Sequence, residues 1–270
     1  MIHDLLDRLP VLDFLAVRFA IATAALWMMF PRAVPRLDRR SGGAAVVLGL
    51  LYGVAQILQT AGLAHTPASV SGFITGLYVV ATPVFGAVLL RTRVTATTWA
   101  AVALAVAGLG VLTLHGFSVG YGEALTLVAA MLYALHIVGL GAWSDAQAAM
   151  GMTIVQLLVI TVVCLVAAAP HGIALPHGAA DWLSVVYMAV FAGALALAAQ
   201  TWAQAHLAPA RAAVIMSMEP VFAAVFAVLL GGEQATVRMV VGGLMVLAAM
   251  LVVEIAPRRH VEGEVAHIAV

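Results

Sequence analysis

The feature that most constrains this chain is a recurrent apolar stretch of about 20 residues, the length of helix that crosses ~30 Å of bilayer hydrocarbon at 1.5 Å per residue. Such stretches cover residues 12–30, 44–64, 69–90, 97–114, 122–142, 149–169, 182–206, 210–230 and 237–255. The connections are short and polar or rich in Pro and Gly, and none has room for a soluble domain. Of the residues, 64% are hydrophobic and 9% are charged. Water-soluble proteins carry roughly 25% charged residues, so lipid rather than water is expected to cover much of this surface. The fold class is therefore an all-α membrane protein of about nine transmembrane helices. Only the end of the chain, residues 257–270, reads as a solvated polar tail.

Charge sets the expected orientation. With alternate loops on alternate sides, Arg32, Arg36, Arg39, Arg40, Arg91, Arg93, Arg211, Arg258 and Arg259 share one side. Arg8 and Arg238 fall on the other, with Asp4, Asp7, Glu123, Asp181 and Glu233. Positive loops stay inside, which places the C-terminus in the cytoplasm of a multi-pass protein of a bacterial inner membrane. Met1–Pro10 carries Asp4, Asp7 and Arg8 and lacks the pattern of a signal peptide. A formal net charge of zero and the absence of a basic tract give nucleic acid nothing to bind. Cys164 is the sole cysteine, which excludes an intrachain disulfide and reads as a small buried apolar residue.

The chain also repeats itself at about 140 residues. His65 and Pro67 correspond to His206 and Pro209, Pro83-Val84-Phe85 to Pro220-Val221-Phe222, and Ala87-Val88-Leu89-Leu90 to Ala227-Val228-Leu229-Leu230. Five spans separate the copies, and an odd offset turns the second upside down. The loop after the first copy holds Arg91 and Arg93, and the loop after the second holds Glu233. Inverted repeats of this kind are a transporter architecture, with the solute at the interface of the halves.

The stretches FLAVRFAIATAAL, GFITGLYVVATPVFGAVLLRTR, GEALTLVAAMLYALHIV and MEPVFAAVFAVLLGGEQATVRMVVGGLMVLAA give nearly the whole chain a resemblance to EamA-type transporters of the drug/metabolite transporter superfamily. The resemblance implies ten helices in two inverted halves with both termini cytoplasmic. It also implies carriage of metabolites, amino acids or toxic compounds through an inter-half cavity. Against that pattern the chain reads as lacking the first helix, with a first repeat over 1–118 and a second over 119–256. The expected activity is movement, most naturally export, of a small metabolite, amino acid or drug-like compound. The rival is a non-transporting membrane component or a remnant of such a transporter. No HExxH, GxSxG, Walker A or aspartate-rich motif is present, so neither an enzyme nor a bound metal or cofactor is expected.

Polar residues inside apolar spans are costly and therefore informative. Tyr52, Gln56 and Gln59 share one helix face, as do Thr75, Tyr78 and Thr82, Gln200 and Gln204, and Tyr133 and His136. These are candidate cavity-lining residues; the other reading is interhelical glue, and for Thr75 and Thr82 bonds to their own helix carbonyls. Glu219 is the sharpest candidate, able to bind a cationic group or to take part in proton exchange, or else to fix packing. Pro83 and Pro220 are candidate hinges, and Pro220 should leave the carbonyl of residue 216 without its helical donor. Arg18 is expected to snorkel to the interface, with a cavity-facing role as the second reading, and Glu233 to be structural. Trp27, Trp99 and Trp182, near span ends, read as interface anchors. Gly49/Gly53 and Gly72/Gly76 read as close-packing pairs. Gly108, Gly110, Gly242 and Gly243 serve either close packing within one chain or a homodimer contact.

Overall fold

The computed structural model describes residues 8–89, 95–113, 120–144, 146–206, 216 and 218–255. Arg91, Arg93, Arg211 and the 257–270 tail lie outside the described residues. Among those described there is no strand. The helices are α1 (Val11–Met29), α2 (Arg39–Leu63), α3 (Ala68–Gly76), α4 (Tyr78–Leu89), α5 (Ala96–Thr113), α6 (Tyr121–Trp143), α7 (Ala149–Ala168), α8 (Ala179–Ala189), α9 (Ala196–His206), α10 (Glu219–Leu229) and α11 (Val237–Ile255).

Helix lies in every apolar stretch named above. Among the described residues, six segments are long and apolar enough to cross a membrane: Val11–Met29, Arg39–Leu63, Ala68–Leu89, Tyr121–Trp143, Ala149–Ala168 and Ala179–His206. Ala96–Leu112, Glu219–Leu229 and Val237–Val253 are shorter apolar helices. α2 starts five residues before the expected edge at Ala44, because Asp38 caps it by accepting from the backbone N–H of Ser41 (3.2 Å) and Arg40 (3.3 Å). Hydrogen bonds from Ser41 hold the exposed Asp38 carboxylate below its usual range. At 25 residues and 1.5 Å each, α2 is about 37 Å long, more than the hydrocarbon needs.

Two expected spans are not single α-helices. The stretch 69–90 breaks at Leu77, between α3 and α4. The break precedes Pro83, which sits inside α4 and cannot donate to the Val79 carbonyl. The stretch 182–206 carries a π-helical turn, Val190–Leu195, between α8 and α9. Such wide turns interrupt the regular i−4 ladder and tend to mark functional sites.

Small residues decide which helices touch. A Cβ on Gly108 of α5 would lie 3.0 Å from the Gly242 carbonyl of α11, and one on Gly242 would lie 3.0 Å from the Gly108 carbonyl. These two glycines therefore serve packing within one chain, as does Gly243, which lies against Phe73. Gly49 and Gly53 of α2 meet Gln156, Val159 and Ile160 of α7. Gly72 and Gly76 of α3 meet Ala223 and Pro220 of α10. α1 packs along α7, where the Thr23 and Thr161 hydroxyls are 2.9 Å apart, while α2 is held against both α6 and α7.

The loop after α10 fastens it to α3. The Glu233 carboxylate accepts from the N–H of Ala68 (2.6 Å) and Ser69 (3.3 Å) and from the Ser69 hydroxyl. Pro67, just before α3, offers no side-chain cap, so Glu233 supplies the missing acceptor from a distant part of the chain. That is the structural role expected of it.

The buried apolar residues fall into two main groups. One gathers around α1, α7 and the α8–α9 segment, with Phe14, Phe19, Leu157 and Leu197. The other gathers around α3, α4, α5, α6 and α11, with Phe73, Tyr78, Val246 and Met250. Tyr52 borders both. Cys164 is fully buried in the first. The outer surface carries Val166, Leu183, Leu229, Leu244 and, near helix ends, Trp27, Trp99 and Trp182, a cover suited to lipid.

Close packing at the glycines gives a direct test. A Cβ at Gly108 would also meet Met245 Cβ at 2.9 Å, whereas one at Gly86 would meet nothing within 4 Å. Gly108→Ala is expected to cost about 1–3 kcal/mol, seen as a fall of several degrees in the Tm of the detergent-solubilised protein. Gly86→Ala should leave Tm unchanged or raise it, because it removes only the helix penalty of glycine.

Candidate functional site

Arg18 lies one turn after Phe14 on α1 and is 6% exposed. The expected snorkelling does not occur. The guanidinium instead turns inward, donates from Nη2 to the Ala192 carbonyl at 2.9 Å, and stands over the rings of Phe14 (5.9 Å) and Phe19 (5.1 Å). Ala192 belongs to the π-helical turn. The Nε atom of Arg18 is buried without a hydrogen-bond partner. Packing explains the inward turn, since aromatic faces and one carbonyl offer the cation a partly compensated place that lipid does not.

The face of α2 holds Tyr52, Gln56 and Gln59, as the spacing of those residues requires. The Tyr133 hydroxyl from α6 lies between the side-chain oxygens of Gln56 and Gln59, 2.8 Å from Gln59 Oε1. A phenol has one proton and donates to one oxygen at a time, so this trio keeps spare acceptor capacity. Gln59 Nε2 donates to Thr75 Oγ1 at 3.0 Å. The Tyr52 ring meets Tyr133 edge-on, with centroids 5.2 Å apart.

Glu219 opens α10, with Pro220 in the first turn, where a missing N–H costs the helix nothing. Tyr78 donates its hydroxyl proton toward Glu219 Oε2 (2.9 Å) and also lies 3.3 Å from the Met216 carbonyl. The expectation that Pro220 strips this carbonyl of a helical donor does not hold, because Met216 precedes the first residue of α10 and a first-turn N–H has no acceptor within the helix. Because Pro220 stands at the helix start, it does not kink the described part of α10. Glu219 is exposed and lines a cavity.

The cavity has a volume of about 300 Å³. Tyr52, Gln56, Gln59, Thr75, Tyr78, Tyr133, Gln200 and Glu219 line it, together with Phe14, Arg18, Thr60, Leu63, Ile137, Ala192 and Met216. Two expected lining residues do not reach it. His136 is fully buried behind Tyr52, its Nε2 2.8 Å from Gln156 Oε1 and its Nδ1 without a partner. Gln204 points toward Met216 Sδ at 4.0 Å, and its Oε1 is buried and unpaired. One-face spacing alone could not separate these from their neighbours, because a helix face is wider than the strip that meets a cavity. Thr75 and Thr82 donate to the carbonyls of Ser71 (2.8 Å) and Tyr78 (2.7 Å), as expected of threonine in a helix.

Sequence reasoning gave Arg18 only a secondary cavity role and left Gln156 out. For Arg18 the signal was present: the rule that an ionisable residue within an apolar span is functional by default points to it as well as to Glu219. No group of three or more His, Cys, Asp or Glu side chains gathers into a metal site among the described residues.

Apolar helices with a lipid-suited exterior and buried polar side chains define a multi-pass membrane protein. The chain belongs to the EamA-like transporter family, whose sequence pattern matches residues 1–114 and again 120–255. It is 28% identical over 251 residues to a protein of Archaeoglobus fulgidus described as an uncharacterized transporter, covering 93% of this chain and 79% of that one. A solved crystal structure of a protein superposes with a TM-score of 0.69 at 16% identity, over 93% of this chain and 89% of that chain. At that identity the likeness shows a common fold and nothing more.

The cavity assignment separates neighbouring residues and can be checked by thiol labelling. In a Cys164→Ala background, Gln200→Cys should react with a small water-soluble thiol reagent at least about tenfold faster than Gln204→Cys or His136→Cys. Equal labelling of the three would contradict the cavity walls described.

Proposed function

We propose that this protein moves a small metabolite, amino acid or drug-like compound across the inner membrane, outward from the cytoplasm, through the cavity between two inverted repeats. The observation that carries the reading is that the cavity is walled by hydrogen bonds between the two repeats, taken as 1–118 and 119–256. Arg18 reaches Ala192, Tyr78 reaches Glu219 and Met216, and Gln56 and Gln59 reach Tyr133. A volume of about 300 Å³ is at the small end of ligand sites, which favours compounds of metabolite size within that range.

The packing supports the repeats. Under a pseudo-two-fold axis, elements at the axis must touch their own counterparts. Thr23 and Thr161 are 138 positions apart in sequence and 2.9 Å apart in space. α5 meets α11 through Gly108 and Gly242, and α3 meets α10 through Gly72 and Gly76 against Ala223 and Pro220. The first two join elements that the repeat makes equivalent; α10 aligns with α4, so its contact with α3 joins corresponding spans but not corresponding residues. The tandem matches of the family pattern support the same division. The reading has nine spans and a cytoplasmic C-terminus, with the Arg-rich loops inside.

Glu219 is the residue proposed to couple transport to a proton or to a cationic group. It faces the cavity with Tyr78 as its hydrogen-bonding partner. Flux into or out of proteoliposomes, measured over a panel of amino acids and related metabolites, tests the reading. Wild-type protein should carry at least one member in a pH-dependent manner. Glu219→Gln should slow that flux and flatten its pH profile. Unchanged flux and pH dependence in Glu219→Gln would remove the coupling role, and no flux of any solute by folded wild-type protein would remove transport.

A further inference from the structure

Arg18 and Glu219 bring opposite charges to one cavity, and no ion pair joins them. Among the described residues each has a different and incomplete set of partners. Arg18 has one carbonyl, two aromatic faces and a buried Nε with nothing to donate to. A guanidinium carries five N–H donors in a fixed fork that matches a carboxylate. Glu219 receives the Tyr78 hydroxyl at one oxygen, Oε2. A carboxylate accepts several hydrogen bonds, so it retains room for a donor or a cation. Phe14, Tyr52 and Tyr133 supply apolar and aromatic wall. Burying an unmatched charge in an apolar bundle is expensive, and a charge next to a cavity with no counter-ion among the described residues is completed most economically by a guest.

We infer that the cavity recognises a zwitterion: an anionic group, carboxylate above all, on Arg18, an ammonium or comparable donor on Glu219, and a compact apolar body against the aromatic wall. A guest with both charges leaves neither protein charge unmatched. A guest with one charge leaves the other stranded, and a neutral guest strands both. The inference rests on the transport reading for its biological meaning, but the recognition itself is a binding property and can be measured without flux.

The probes are leucine, leucinamide, which lacks the carboxylate, and 4-methylpentanoate, which lacks the ammonium. Binding to the purified, detergent-solubilised full chain is followed by titration calorimetry, with Tm and elution profile as the check on folding. Wild-type protein should bind leucine at least about tenfold tighter than either analogue. Arg18→Gln should lose the preference for leucine over leucinamide while keeping the preference over 4-methylpentanoate. Glu219→Gln should do the reverse. A residue with a merely structural role would weaken all three probes alike and would not exchange one preference for the other.

The inference is overturned if wild-type protein binds either analogue as tightly as leucine, if it binds none of the three, or if folded variants leave the preferences unchanged. Where a variant does not fold, the wild-type comparison decides. Flux distinguishes this failure from failure of the transport reading. Transport of some other metabolite without the leucine preference leaves a transporter and removes the zwitterion site. Charge-selective binding of leucine with no flux of any solute does the opposite.

Discussion

A polar side chain inside an apolar helix bundle looks for its partner in protein, because lipid offers none, and around this cavity several partners sit on distant parts of the chain. The guanidinium of Arg18 takes its carbonyl from a π-helical turn 174 positions away. The phenol of Tyr78 lies within hydrogen-bonding reach of the Glu219 carboxylate and the Met216 carbonyl, about 140 positions away. Tyr133 binds the two glutamines of α2. Such bonds are individually small, about 0.6 kcal/mol in one membrane protein where they were measured. Their consequence is geometric, since they fix the walls of a cavity whose remaining hydrogen-bonding capacity points inward.

Steric economy does the rest. Apolar side chains gain little by leaving lipid for other apolar side chains, so close approach of backbones matters more than hydrophobicity. Gly108 and Gly242 bring two helices to the point where a single methyl group would collide with a carbonyl. Glu233 ties the start of α3 to the loop after α10 and satisfies donors that Pro67 leaves uncapped. Glycine contacts, one capping carboxylate and the cavity bonds together account for how these helices are arranged around the polar centre.

Much of this was legible in the sequence. Apolar length gave the helices, because a span has to satisfy its own backbone and cross a fixed thickness. Spacing placed Tyr52, Gln56 and Gln59 on one face, and they do line the cavity. The pairs at i and i+3 or i+4 failed at their second members, His136 and Gln204, which lie behind the wall rather than in it. Which residues of a face meet a cavity depends on how neighbouring helices cross, and periodicity does not encode that. The break at Leu77 and the π-helical turn were hidden for a similar reason, since both stretches read as uninterrupted apolar helix. Arg18 was visible as a charge in an apolar span. A nearby interface offered a simpler resting place for it, and only tertiary packing with Phe14, Phe19 and Ala192 decided the matter.

The central proposal is that solute binds in the cavity lined by Arg18, Tyr133 and Glu219. The most direct measurement is a structure of the protein in nanodiscs with a solute it has been shown to transport. The account predicts density for that solute between Arg18, Tyr133 and Glu219. Density on the lipid-facing surface or outside these walls, in a protein that still carries the solute, would contradict it.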